Sequence, residues 1–293
     1  MRADATAIAA SATRAGDFLE LTKPRITTLV VITAAVGYAV GANGGLDPAV
    51  FTALLFGTAM VAGGASALNQ YSERELDGRM ERTRLRPLPA GRVMPAEALA
   101  FGLAVAGAGL VLLATIDLLT PLLGAAALAS YVLLYTPLKR ITSLCTVVGA
   151  IPGAIPPMMG WAAARGTVDA AAWSLFGILF LWQLPHFLAI GWIYREDYAR
   201  AGFPMLAVMD SDGRSTGRQM MLYSAALIPV TLLAGAFAAA GSGYLWCALL
   251  LGLVFFGSSA RFAWTRSAAA ARGLFLVSIL YLPALLGLMV FDR

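Results

Sequence analysis

Apolar residues in this chain come in long unbroken runs, not in the period-two alternation of strands or the one-sided stripes of soluble helices. Nine runs approach the length of about 18–20 residues that a helix needs to cross the hydrocarbon core. They lie at roughly 25–43, 50–69, 96–114, 118–137, 142–161, 172–194, 219–240, 244–260 and 273–291. Barrel strands would alternate apolar and polar faces, and these runs do not. The fifth carries Gly149, Pro152, Gly153, Pro156 and Pro157, which predict a break or kink. Irregular backbone at that depth is tolerated where it lines a cavity or is buried in protein. The pattern predicts an all-α integral membrane protein of nine transmembrane helices, with 25–293 as one domain. Residues 1–24 form an N-terminal segment at the membrane interface, where Asp17, Phe18, Leu19 and Glu20 predict a short helix.

A mean hydropathy of +0.77 over 293 residues, 59% of them hydrophobic, fits a chain surrounded by lipid. Nineteen of its 21 Lys and Arg fall on one side of the nine spans; Arg165 and Arg293 are the exceptions. By the positive-inside rule that side, and the N-terminus from Arg2 onward, is cytoplasmic, or faces the matrix in an organelle. A bacterial inner membrane is expected ahead of the mitochondrial one. The net charge of +5 then reflects topology and contact with membrane lipids, and calls for no nucleic acid. The first twenty residues lack a long apolar core after a basic start, which argues against a cleaved secretory signal. Cys145 and Cys247 sit in different spans and predict neither a disulfide nor a metal pair.

Against this background one segment stands apart. Of 37 charged side chains, ten lie within the 24 residues from Asn69 to Arg92, with both signs interleaved. A topology signal explains the arginines but needs no acids. Asn69, Glu73 and Asp77 are spaced i, i+4, i+8, so a continuing helix stacks them on one face. An amide and two carboxylates suit a hard cation such as Mg²⁺, which fills its remaining positions with water and substrate phosphates. Arg74, Arg82, Arg84 and Arg86 supply planar donors matched to phosphate oxygens.

Other chemistry lies on the same side. Glu196 and Asp197 follow the sixth run and are either a common acid pair at a helix end or a second metal-binding cluster. Two acidic clusters facing one another would hold cations around one diphosphate and stabilise its departure. Lys139 and Arg140 sit at the mouth on that side, where they could grip phosphate or another anionic substrate group. His186, the sole histidine, lies within the sixth run after Pro185. It reads either as hydrogen-bonded helix glue or as a group that ligates iron.

At these residues the chain resembles the membrane-embedded aromatic prenyltransferases, and within them the branch that farnesylates heme. Leu21–Ile26 reads LTKPRI. Asn69, Glu73 and Asp77, followed by Met80, Arg82, Thr83, Arg86, Pro87 and Leu88, match the first diphosphate motif. YTPLKR, GAIPGAIPPMMGW, PHFLAI and DYARAGFPML complete the likeness, which runs from about residue 21 to 210. Glu73 stands where the family most often has Asp. Ala201 stands where the wider superfamily has a second Asp, so the second cluster would act through Glu196 and Asp197.

The resemblance implies nine helices around a central, lipid-accessible cavity capped by cytoplasmic loops. It implies Mg²⁺-dependent transfer of farnesyl from farnesyl diphosphate to a vinyl group of heme b, with water addition, giving heme O. Catalytic roles pass to Asn69, Glu73, Asp77 and Asp197, with Glu196 among the metal ligands. Diphosphate contacts pass to Lys23, Arg25, Arg82, Arg86, Lys139 and Arg140, and heme binding passes to His186. A heme A synthase is a candidate partner. Two rivals stand beside this reading: the same chemistry on a quinone-precursor or chlorophyll-type acceptor, and a transporter of an anionic solute. A transporter commonly carries internal repeats, and the sequence shows none.

Overall fold

Punctuation in the sequence sets the helix ends. A computed structural model of the chain describes residues 13–42, 45–238 and 240–292; Arg2 and Arg293, counted above, lie outside them. A short helix α1 (Arg14–Leu21) is capped by the Thr13 hydroxyl, which accepts from the Gly16 N–H. The spans α2 (Pro24–Gly41), α3 (Pro48–Asp77) and α4 (Pro95–Leu113) each open on proline, whose missing N–H is no loss at that position. Next come α5 (Leu119–Leu138), α6 (Cys145–Arg165) and α7 (Ala170–Ile193), the last capped by Asp169. Two short helices, α8 (Arg195–Arg200) and α9 (Leu206–Met209), precede α10 (Arg214–Phe237), α11 (Ser242–Thr265) and α12 (Ala268–Phe291). Nine of these helices, among the described residues, are long and apolar enough to cross a membrane. The protein is an integral membrane protein with the nine expected spans.

Close packing depends on small residues, as expected where lipid removes the hydrophobic drive for helices to associate. A Cβ on Gly160 of α6 would come within 1.9 Å of the Ala34 carbonyl oxygen of α2. On Gly64 of α3 it would meet the Ala106 nitrogen of α4 at 2.6 Å. The outer faces, with Leu29, Ile32, Leu133, Leu250 and Leu280, remain exposed for lipid.

The fifth span shows no break at its prolines. Helix α6 runs through Pro152, Pro156 and Pro157 without a break, and it is the most buried span, packed against α2, α5 and α7. Neighbours on several sides hold a helix whose own ladder of hydrogen bonds is thinned by proline. The irregularity falls in α5 instead, where Ser130–Tyr135 forms a π-helical turn. Pro137 follows after Thr136 and has no N–H to donate, which lets the register slip there.

The short helix predicted around Asp17 to Glu20 is present as α1. Its buried Asp17 receives Arg92 Nε at 2.7 Å, Arg14 pairs with Glu97, and Phe18 packs on Phe101. These contacts fasten α1 to the end of the charged segment after α3 and to the first turns of α4. Both cysteines are free thiols.

Candidate active site

Helix α3 continues about two turns beyond its apolar run and so carries Asn69, Glu73 and Asp77 to the charged end of the bundle. All three are buried. Each meets one cation from a different part of the chain. Lys23 Nζ donates to Asn69 Oδ1 at 2.9 Å, Lys139 Nζ to Glu73 Oε2 at 3.0 Å, and Arg86 Nη1 to Asp77 Oδ2 at 2.7 Å. The second oxygens, Glu73 Oε1 and Asp77 Oδ1, are buried without a hydrogen-bond partner. An orphaned buried acceptor costs about 1–3 kcal/mol, more when charged. Two on one helix face, beside an amide oxygen, form the donor set a hard divalent cation takes. The residues present therefore fit Mg²⁺.

Local structure explains how the cations arrive. Lys23 adopts a left-handed backbone (φ 49°) just before α2, a conformation costing a non-glycine residue on the order of 1 kcal/mol. That turn is what directs its ammonium at Asn69. Burial, with Arg86 close by, pulls the Lys23 pKa down to about 8. Lys139 follows the π turn of α5. Burial opposes its charge, but Glu73 outweighs burial and holds the Lys139 pKa above its ordinary value. The same turn presents Thr136, whose Oγ1 accepts from Asn69 Nδ2 at 3.1 Å and donates to the Tyr131 carbonyl at 2.9 Å. Arg86 is brought to Asp77 by the loop after α3, where the Thr83 hydroxyl donates to the Asp77 carbonyl at 2.7 Å.

The second charged loop lies against the first. Met80 packs with Tyr198, Ala201 and Phe203 in a small apolar cluster. Arg82 Nη2 donates to the Tyr198 hydroxyl at 3.4 Å and stacks 5.1 Å from the Tyr194 ring. Lys139 Nζ sits 4.6 Å from the centre of the Phe203 ring. The acids of this loop take other positions. Asp197 pairs with Arg200, and Glu196 is exposed at an open cleft of about 480 Å³ beside Trp192, Arg195 and Arg266. None of the three α3 side chains lines that cleft. Among the described residues no three His, Cys, Asp or Glu side chains converge as a metal cluster.

The remaining predicted residues separate. Arg140 Nη2 donates to the Ser72 carbonyl at 2.6 Å and so clamps α3 from outside its acidic face. Arg25 is exposed on the first turn of α2. His186 lies in α7 with its Nδ1 2.7 Å from Ser278 Oγ of α12, its ring between those of Trp182 and Phe275. Thr136, Tyr198 and Phe203 fall inside the quoted motifs but carry no role there, and Gln70, whose Nε2 donates to the Leu21 carbonyl at 2.8 Å, lies beside the first one. Their contacts bridge positions about fifty or more apart in sequence, so the motifs place these residues without showing what they touch.

The chain is similar to known proteins in both sequence and fold. The UbiA prenyltransferase family matches residues 30–282. Curated relatives named protoheme IX farnesyltransferase include one from Solibacter usitatus, 49% identical, covering 94% of this chain and 98% of the relative. Another, from Myxococcus xanthus, is 46% identical and covers 96% of each chain. Among solved structures, a digeranylgeranylglyceryl phosphate synthase superposes with a TM-score of 0.81 at 16% identity, covering 95% of this chain and 98% of that one. A UbiA homolog from Archaeoglobus fulgidus bound to GPP and Mg²⁺ superposes with a TM-score of 0.64 at 14% identity, covering 93% and 99%. At these identities the two structures speak for the fold.

Proposed function

Because the chain belongs to the UbiA prenyltransferase family, we propose that it moves the farnesyl group of farnesyl diphosphate onto a vinyl carbon of heme b, with water addition, giving heme O. The observation that carries the reaction type is the face of Asn69, Glu73 and Asp77, with two partnerless carboxylate oxygens and one cation on each residue. The acceptor is supported by relatives named protoheme IX farnesyltransferase that match nearly the whole chain.

Mg²⁺ bound at Glu73, Asp77 and Asn69 would neutralise charge building on the diphosphate as it departs. The chain's own residues do the rest. Three cations face two carboxylates, so the site holds an excess of positive charge before substrate enters. Lys23, Lys139 and Arg86 are the donors free to exchange a carboxylate or amide for a phosphate oxygen. As the farnesyl C1–O bond breaks, its electron pair leaves with the diphosphate, and fixed positive charge stabilises that group most at the transition state. The heme vinyl carbon attacks C1, and water adds to the resulting cation with loss of a proton. Arg82, stacked against Tyr194 and Tyr198, closes the charged end over the diphosphate.

We assign His186 to the porphyrin iron, and Glu196 and Asp197 to a supporting role at the second loop. The charged end and the N-terminus face the cytoplasm of a bacterial cell, on the asymmetry of Lys and Arg. A heme A synthase is the candidate partner for the product.

The test is product analysis by mass spectrometry after incubating detergent-purified protein with heme b, farnesyl diphosphate and Mg²⁺. Heme b heavier by farnesyl plus water supports the proposal. Consumption of farnesyl diphosphate with a phenolic acceptor, and none with heme b, would move the protein to the quinone-precursor branch.

A further inference from the structure

Two residues one turn apart on α7 converge on a single serine of α12. Trp182 Nε1 donates to the Ser278 carbonyl at 2.9 Å, and His186 Nδ1 lies 2.7 Å from Ser278 Oγ. Ser278 Oγ lies in turn 2.6 Å from the Phe275 carbonyl oxygen. Ser278 is fully buried, and its hydroxyl has one proton to serve two short contacts. A carbonyl oxygen offers none, so the serine proton must lie between Oγ and Phe275. The contact to His186 then needs a proton from the imidazole, and Nδ1 donates to Ser278 Oγ. This count leaves His186 as the Nδ1–H tautomer with a bare lone pair on Nε2.

The ring has little freedom to turn away from that state. It stacks on Trp182 (centroids 4.9 Å, planes 22° apart) and on Phe275 (5.1 Å, 28°). No hydrogen-bond partner among the described residues reaches Nε2, and His186 is only half-buried. If His186 served only to join two helices, the Trp182 bond to the same serine would already supply the link. An imidazole whose Nδ1–H is backed by an oxygen acceptor, and whose Nε2 is open, is the arrangement metal-binding histidines adopt.

We propose that Ser278 is a positioning residue that holds His186 in the Nδ1–H tautomer, so that Nε2 serves as an axial ligand to the iron of a bound metalloporphyrin. This rests on the reading of heme b as the acceptor. It adds a residue on the last span, outside every motif of the sequence, and a reason for the PHF histidine to sit against it.

His186 is the only histidine of the chain, so protein labelled with ¹⁵N-histidine and purified on a histidine-free tag gives one imidazole to read by NMR. In the wild type Nδ1 should carry the proton and Nε2 none. Adding heme b should broaden the Nε2 signal and shift the Soret band. Ser278→Ala, which keeps the backbone bond to Trp182, should yield a mixture of tautomers and bind heme b about tenfold more weakly. A proton on Nε2 in the wild type overturns the proposal. So does heme binding of equal affinity, with an unchanged Soret band, in His186→Ala; that result would leave heme b as acceptor intact. A wild type that binds no heme b overturns the acceptor reading itself, whichever nitrogen holds the proton.

Discussion

Lys139 Nζ reaches from the end of α5 to Glu73 Oε2 at 3.0 Å, while the other oxygen of the same carboxylate has no partner. Half of the Glu73 carboxylate is thus held by an internal cation and half is open. Lys139 both competes with a metal for Glu73 and stands ready to transfer to a phosphate oxygen. Lys139→Gln should therefore have opposite effects on two measurements. Binding of Mn²⁺ alone, followed by electron paramagnetic resonance, should tighten several-fold. Farnesyl transfer should fall by about a hundredfold, the scale of losing one charged stabiliser of a leaving group. A variant that loses metal binding and transfer together would show Lys139 to be a structural support of Glu73.

Three basic residues near the mouth should separate in effect. Arg25→Ala, at an exposed position, should change the rate by less than about twofold. Arg140→Ala removes the bond to the Ser72 carbonyl and should cost about fivefold, one hydrogen bond's worth. Arg86→Ala leaves a buried Asp77 carboxylate with no partner and should cost far more in both folding and turnover. Steady-state kinetics and thermal unfolding of the three variants, run side by side, check the order.

Nine spans and the acidic face of α3 are legible in the sequence because each follows from local spacing: run length for the helices, a four-residue repeat for Asn69, Glu73 and Asp77. What the sequence does not reveal is which distant groups meet them. Nothing local pairs Lys23 with Asn69 or Lys139 with Glu73, 46 and 66 residues apart. Arg140 looked equivalent to Lys139 from its place in the chain, yet one residue of helical rotation turns it to a backbone carbonyl. The prolines of α6 signal a kink when read alone. Packing on several sides keeps that helix continuous, and the irregular turn falls one span earlier.

The cap formed by the two loops should keep water from the diphosphate. Phe203 is fully buried between Met80, Tyr198 and Lys139, so Phe203→Ala opens a large gap there. The expected result is a higher KM for farnesyl diphosphate and release of farnesol by hydrolysis. Tyr198→Phe removes only a hydroxyl at 3.4 Å from Arg82 and should alter either quantity by less than about threefold. Gas chromatography of the organic extract distinguishes the two.

Helix contact at Gly160 should be intolerant of any side chain. Gly160→Val forces atoms onto the Ala34 carbonyl and should lower stability in mild detergent by about 1–3 kcal/mol, seen as an earlier thermal transition. Gly107→Ala, where an added Cβ meets nothing within 4 Å, should leave the transition where it is or raise it.

The rate of heme b farnesylation by Asp77→Asn, measured across a Mg²⁺ titration, bears most directly on the role of the α3 face. The amide keeps the shape of the site and an acceptor for Arg86, but it removes the charge from the orphaned oxygen. The expected result is a fall of about a hundredfold or more, with half-saturation moved to higher Mg²⁺. A variant with the wild-type rate and the wild-type Mg²⁺ dependence would contradict the assignment of Asn69, Glu73 and Asp77 as the metal–diphosphate site.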